Sequence, residues 1–121
     1  MKAFTDLEVW KKSRALRNSL SELTKSFLVE EKYRLTDQII RSSRSVGNNI
    51  AEGHGRFHYA DAAKFLINAR GSAIETIDDL IIALDEKYIS KGAFDTIKND
   101  CEECIKMING YQLFEKSITC C

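Results

Sequence analysis

Two cysteines separated by two residues, Cys101-Glu-Glu-Cys104, have the spacing of a metal or redox pair. Zinc would need further ligands, and no second such pair exists in the chain. The redox motif belongs to a strand-helix context that the surrounding pattern lacks. Both sulfurs also fall on the apolar stripe of a helix, so core filling by two small hydrophobes is the expected role. His54 and His58 lie four apart around a glycine-rich bend, without the Glu-x-x-His pattern of a di-iron bundle, and are expected to be solvated loop residues. The segment Gly53-His-Gly55-Arg56 lacks the Gly-Lys-Ser/Thr ending and the preceding strand of a phosphate loop. Cys120-Cys121 has no polybasic approach of the kind that accompanies lipid anchors, and a frayed tail from about residue 116 is expected there. No set of nucleophile, base and orienting group can be assembled, so the chain is expected not to be an enzyme and to carry no cofactor and no metal.

The elements that position these residues are helices. There is no proline in 121 residues, 44% are hydrophobic and 30% are charged, which fits one domain able to bury a continuous core. No apolar run approaches the ~20 residues needed to span a bilayer, so no membrane partner and a cytoplasmic location are expected. Formal net charge is zero, which argues against a strong nonspecific grip on nucleic acid. The distribution is uneven. Residues 1–70 hold 13 Lys plus Arg against 8 Asp plus Glu, and residues 71–121 hold 5 against 10, or +5 and −5, with all seven arginines in the first part. That split suits an anionic partner, or a basic part of one subunit meeting the acidic part of the next.

Four amphipathic segments follow. From Thr5 to Phe27 the stripe is Val9, Leu16, Leu20, Leu23 and Phe27, with Thr5 and Glu8 in capping-box spacing. Trp10 stands outside this stripe beside Arg14 and Arg17, either as a second contact residue or as peripheral core. After a connection over residues 28–35, the second stripe is Leu35, Ile39, Ser43, Val46 and Ile50; Thr36 or Asp37 is the expected cap, and Gly53 and Gly55 end or bend the helix. Arg41, Ser45, Asn48 and Glu52 form a polar line on its far side. The third helix, roughly Tyr59 to Asp85, has one stripe of Ala62, Phe65, Ala69, Ala73, Thr76, Leu80 and Ala83 and another of Ala63, Ile67, Ile74 and Ile81. Lys64, Asn68, Glu75 and Asp79 occupy a narrow polar arc. A helix apolar on two sides either sits deep in its domain or faces another subunit; in a bundle this small every helix has a solvent side, which favours the subunit. Ser90 can cap the fourth helix, whose stripe runs Phe94, Ile97, Cys101, Cys104, Ile105, Ile108 and Tyr111. Short connections between four such helices predict an all-α, antiparallel up-down-up-down four-helix bundle forming a single domain over residues 1–121.

Several segments together are specific: Phe4-Thr-Asp-Leu-Glu-Val-Trp10, Arg41-Ser-Ser-Arg-Ser-Val46, Asn49-Ile-Ala-Glu-Gly53, and Ala69-Arg-Gly-Ser72 followed by Glu75. Over nearly its whole length the chain resembles a bacterial family, the four-helix-bundle proteins encoded by intervening sequences within 23S ribosomal RNA genes and often labelled ribosomal proteins. The accessory variability determinant of diversity-generating retroelements is related to that family. The resemblance implies an antiparallel bundle that assembles into a ring, a homopentamer, and in the accessory proteins a basic surface that associates with nucleic acid and a reverse transcriptase. This chain departs in its neutral net charge, and in Arg34 and Gly47 where the family pattern more often has glycine and proline. A true ribosomal component would ordinarily be strongly basic, so that label reads as an inheritance from gene location.

The motif also has a physical reading. Ser42 and Asn49 border the core stripe of the second helix and Glu75 that of the third, so a polar network of Arg41, Asn49, Glu52 and Glu75 is expected, with Arg41 or Arg44 paired to Glu52 or Glu75. The leading functional expectation is a non-enzymatic homo-oligomeric scaffold or adaptor, with Trp10, Ile67, Ile74 and Ile81 in the subunit interface and RNA or DNA held by Lys11, Lys12, Arg14, Arg17, Arg41 and Arg44. The alternative is a module for protein partners only, whose arginines are consumed by its own subunit joints.

Overall fold

The structure, a computed structural model, describes residues 3–119 and the side chains of residues 3–117. Four helices make up the fold: α1 (Glu8–Thr24), α2 (Leu35–His54), α3 (Tyr59–Asp85) and α4 (Lys91–Thr119). Short 3-10 turns at Phe4–Asp6 and Val29–Glu31 precede α1 and α2. Among the described residues there is no strand. Consecutive helices pack side by side, and α1 also packs on α4 to close the bundle. Side-chain pairing gives the directions. Ser45 meets Ser72 while Ser42 meets Thr76, so stepping back along α2 steps forward along α3. In the same sense Leu7 and Val9 share a groove with Met107 and Tyr111, while Lys12 reaches Glu103 and Asp100. The topology is the expected antiparallel one.

All four stripes turn inward. Leu20, Ile39, Ile50, Leu66, Leu80 and Ile108 are fully buried, and each stabilises the bundle by roughly 1.5–3 kcal/mol relative to exposure. On α3 the wheel is rotated slightly from expectation: Leu66 is sealed in the core and Phe65 is only half-buried. Cys101 and Cys104 are free thiols at zero exposure inside this core, as their place on the stripe predicts. Burial pushes Cys101 up to about 12 and Cys104 to about 11, leaving both as inert neutral thiols.

The helix ends differ in part from expectation. No capping box forms at α1: Leu7 is its N-cap, and the preceding 3-10 turn replaces the role assigned to Thr5. Neither Thr36 nor Asp37 caps α2, which begins at Leu35 without a side-chain cap. Ser90 does cap α4, its Oγ accepting the Ala93 amide at 3.1 Å. Gly53 does not break α2. It is buried against α3, where a Cβ would come 3.2 Å from the Ala62 carbonyl oxygen, so the missing side chain lets the helices approach. The helix closes one residue after His54, at Gly55. α4 runs to Thr119, past the point where a tail was expected; Cys120 and Cys121 lie outside the described residues.

Candidate functional site

Three features lie on this scaffold: a polar seam between α2 and α3, an uncovered isoleucine ladder on α3, and a basic shoulder on α1 and α2.

The seam is built from small residues that let two helix backbones approach. Ser42 and Thr76 hydroxyls lie 2.8 Å apart, and Ser72 donates to Ser45 Oγ at 2.9 Å. Asn49 Nδ2 donates to the carbonyl and to the hydroxyl of Ser45 at 2.9 and 3.0 Å, and Thr76 Oγ1 donates to the Ser72 carbonyl at 2.9 Å. The expected network therefore exists, with largely different members. Asn49 belongs to it. Arg41 instead pairs with Asp37 at 3.5 Å on its own helix, and Glu52 with Arg56 at 3.1 Å. Arg44 is exposed, as is Glu75, and neither closes the ladder. Side-chain length explains the substitution. Two helices this close leave room for hydroxyls between them, while an arginine or glutamate must point out along the rim. Beside the ladder opens a cleft of about 430 Å³ lined by Gln38, Arg41, Ser42, Ser45, Ser72 and Glu75, among others.

Asp79 is the residue that the polar arc misplaced. It is 6% exposed rather than solvated, and its Oδ2 has no hydrogen-bond partner. Burial, then the charges of Glu75 and Asp78, push its carboxyl up to about 6 against a hydrogen bond from Ser42. A spacing cue was available, since Asp79 follows Ser72 and Thr76 by seven and three residues and so shares their flank.

The second stripe of α3 is not covered by its own protomer. Ile67, Ile74 and Ile81 are 47%, 54% and 41% exposed. These apolar side chains stand about two turns apart along one line of the helix, and Ile82 beside Ile81 is 41% exposed as well. Trp10, expected in the same interface, is on another helix. It is half-buried with Phe4 edge-on at 5.3 Å, and the Arg14 and Arg17 guanidinium groups lie 5.9 and 6.0 Å from its ring centre.

The six basic residues do not form one set. Arg14, Arg17 and Arg44 lie on α1 and α2, with Arg14 and Arg44 exposed and Arg17 half-buried against Trp10. Lys11 pairs with Glu8 at 3.4 Å and remains exposed. Lys12 turns the other way, bridging to Asp100 at 3.3 Å and Glu103 at 2.9 Å on α4. The hydrogen bond to Glu103 raises the Lys12 pKa and lowers that of Glu103, so both partners agree on an intact pair. Part of the charge split between the two halves of the chain is thus met inside one protomer.

His54 is not a solvated loop residue. It ends α2 with its Nδ1 2.7 Å from the Tyr111 hydroxyl, which in turn donates to Glu115 on α4. Tyr111 is shifted upward by burial and then by its bond to Glu115, so it stays a neutral phenol. His58 lies exposed in the connection, and among the described residues no group of three or more His, Cys, Asp or Glu side chains is placed to hold a metal ion. Tyr111 and Glu115 were invisible as partners because 57 residues or more separate them from His54.

Comparison with known proteins agrees with the fold. The family model for the 23S rRNA-intervening sequence protein matches residues 5–110. A crystal structure of a protein of unknown function from the S23 ribosomal protein family of Bacteroides thetaiotaomicron VPI-5482 is 30% identical, with a TM-score of 0.79 over 86% of this chain and 94% of that one. Among curated proteins nothing matches the chain. No helix among the described residues is long and apolar enough to cross a membrane.

Proposed function

Since the chain belongs to the family of 23S rRNA-intervening sequence proteins, a family named for a gene location and not for a chemistry, we propose that it works as a non-enzymatic, self-associating scaffold. The observation that carries this reading is the exposed ladder of Ile67, Ile74 and Ile81. Three exposed isoleucines in line on one helix present apolar surface along one side of α3, and covering it with a second copy removes that surface from water. A head-to-tail ring, of which a homopentamer is the form the resemblance implies, uses two different surfaces on each subunit. The ladder on α3 supplies one; the shoulder carrying Trp10, Arg14 and Arg17 has the aromatic and arginine content of an interface anchor and supplies the other. The protein then acts in the cytoplasm, without metal or cofactor.

The test is the solution mass. Ile74→Glu, and separately Ile67→Glu, lower the mass measured by light scattering while the helical circular dichroism is kept. A wild-type protein that runs as a monomer at micromolar concentration overturns the reading.

A second reading, association with RNA or DNA, is favoured by the exposed Lys11 and Arg14 on α1 and the exposed Arg44 on α2. Salt-dependent binding of RNA that is weakened by reversing Lys11 and Arg44 without loss of assembly supports it. Absence of binding to RNA and DNA at low salt leaves the scaffold as a module for protein partners only.

A further inference from the structure

The Asp79 end of the hydroxyl ladder, formed with Ser42 and Thr76, is short of protons. Thr76 spends its hydroxyl hydrogen on the Ser72 carbonyl. Ser42 has one hydrogen, and three acceptors stand around it: the Ile39 carbonyl at 3.3 Å, Thr76 Oγ1 at 2.8 Å, and the Asp79 carboxyl. An ionised carboxylate adds acceptors and no donor, and here its Oδ2 is left buried without a partner. A neutral carboxyl brings the missing hydrogen, which can be given to Ser42 Oγ while Ser42 gives its own to Thr76.

We propose that the α2–α3 seam is a proton-operated joint in which neutral Asp79 closes the hydroxyl ladder and ionised Asp79 opens it. The charged surroundings favour the neutral form. On α3 itself the charges that act on Asp79 are Glu75 and Asp78, both negative. From α2 the contact is Ser42, and the charged rim residues Asp37 and Arg41 are occupied with each other at 3.5 Å. The connection before α2 turns Glu31 to Tyr88 at 2.8 Å, and α4 packs on the opposite flank of α3 through pairs such as Arg70 with Asn109 at 2.9 Å. No cation is among the groups that act on Asp79. When the carboxyl ionises, water is its available partner. The adjoining cleft, with Ser42 and Glu75 in its wall, is the route by which a small separation of the helices hydrates Oδ2.

The experiment combines a carboxyl-carbon NMR titration of Asp79 in the full chain with hydrogen exchange at pH 5 and pH 7.5, corrected for intrinsic rates. The expected result is a midpoint well above the ordinary carboxylate range. Amides of residues 39–46 and 72–80 should then lose protection by roughly ten- to a hundredfold relative to α1 as the carboxyl ionises. Asp79→Asn, which carries the hydrogen at every pH, keeps the seam equally protected at both pH values. Glu75→Gln lowers the midpoint, a shift that a merely structural role for Asp79 does not produce. A midpoint near 4, or a wild-type seam whose protection follows the same pH course as Asp79→Asn, overturns the proposal. Should Asp79→Asn not fold, the wild-type data decide alone: carboxyl titration and seam opening must share one midpoint, and separate midpoints overturn it.

Discussion

Gly47 of α2 lies directly against Ser13 of α1: a Cβ on the glycine would stand 3.0 Å from the serine Oγ and 3.6 Å from Trp10 Nε1. Ser13 is not free to swing away, because its hydroxyl donates to the Trp10 carbonyl at 2.7 Å. The pair sets the distance between the first two helices and, through Trp10, the posture of the basic shoulder. Gly47→Leu should therefore destabilise the bundle by about 1–3 kcal/mol through overpacking, read from urea unfolding. Gly47→Ala should change stability far less, since a helix-propensity gain of about 1 kcal/mol opposes the crowding. A leucine variant as stable as wild type would show that the crossing has slack.

Lys12 links α1 to two acids on α4 with a quarter of its side chain exposed. Lys12→Met should cost on the order of 1 kcal/mol at low salt and less at high salt, as exposed ion pairs do. Reversal to glutamate should cost more, because three negative groups then face one another. Thermal melts at two ionic strengths measure both. A loss of RNA binding on reversing Lys12 would thus carry a stability component that reversal of Lys11 or Arg44 does not.

Asp79 should make stability fall as pH rises. Its carboxyl in the folded state sits at about 6, above the ordinary 3.8, so the folded protein takes up a proton more readily than the unfolded chain. The contribution is fully favourable below about pH 4 and is lost as pH rises through 6, reaching a cost of about 3 kcal/mol at pH 7. Asp79→Asn should remove this slope and raise the urea midpoint at pH 7. If that midpoint falls or stays unchanged, the buried charge is satisfied in solution.

Lys87 closes α3 in the left-handed region, with φ of 63°. The amide of Tyr88 bonds the Ala83 carbonyl at 2.9 Å and that of Lys87 the Leu84 carbonyl at 3.0 Å, the paired bonds of a Schellman end. Glycine is at ease in that conformation and lysine is not. Lys87→Gly should stabilise the protein by roughly 0.5–1 kcal/mol, seen as a raised melting temperature.

Cys101 and Cys104 should resist thiol reagents. With both pushed above 10 by burial, neither forms thiolate at pH 8. In a Cys120→Ser, Cys121→Ser background the native protein should label only as fast as it unfolds, and two thiols should appear in denaturant. Rapid native labelling would place a sulfur at the surface.

Periodicity was enough for the helices, because burying an apolar stripe is a local demand that any antiparallel partner can meet. Val9, Leu20, Ile39, Ile50, Leu80 and Ile108 were legible as core for that reason, and so were the two buried cysteines. The same logic marked Ile67, Ile74 and Ile81 as more apolar surface than one bundle covers. What one chain's periodicity could not contain was the pairing of shoulders. The approach of α2 to α3 decided that Ser42, Ser45, Ser72 and Thr76, not Arg41 and Glu75, would share the seam. It also decided that Asp79 would be buried and Gly53 pressed against a carbonyl. Likewise α4 reached back to give His54 its tyrosine and Lys12 its two acids. Polar partners are chosen by distances of about 3 Å between helices, and such distances exist only once the backbones have docked.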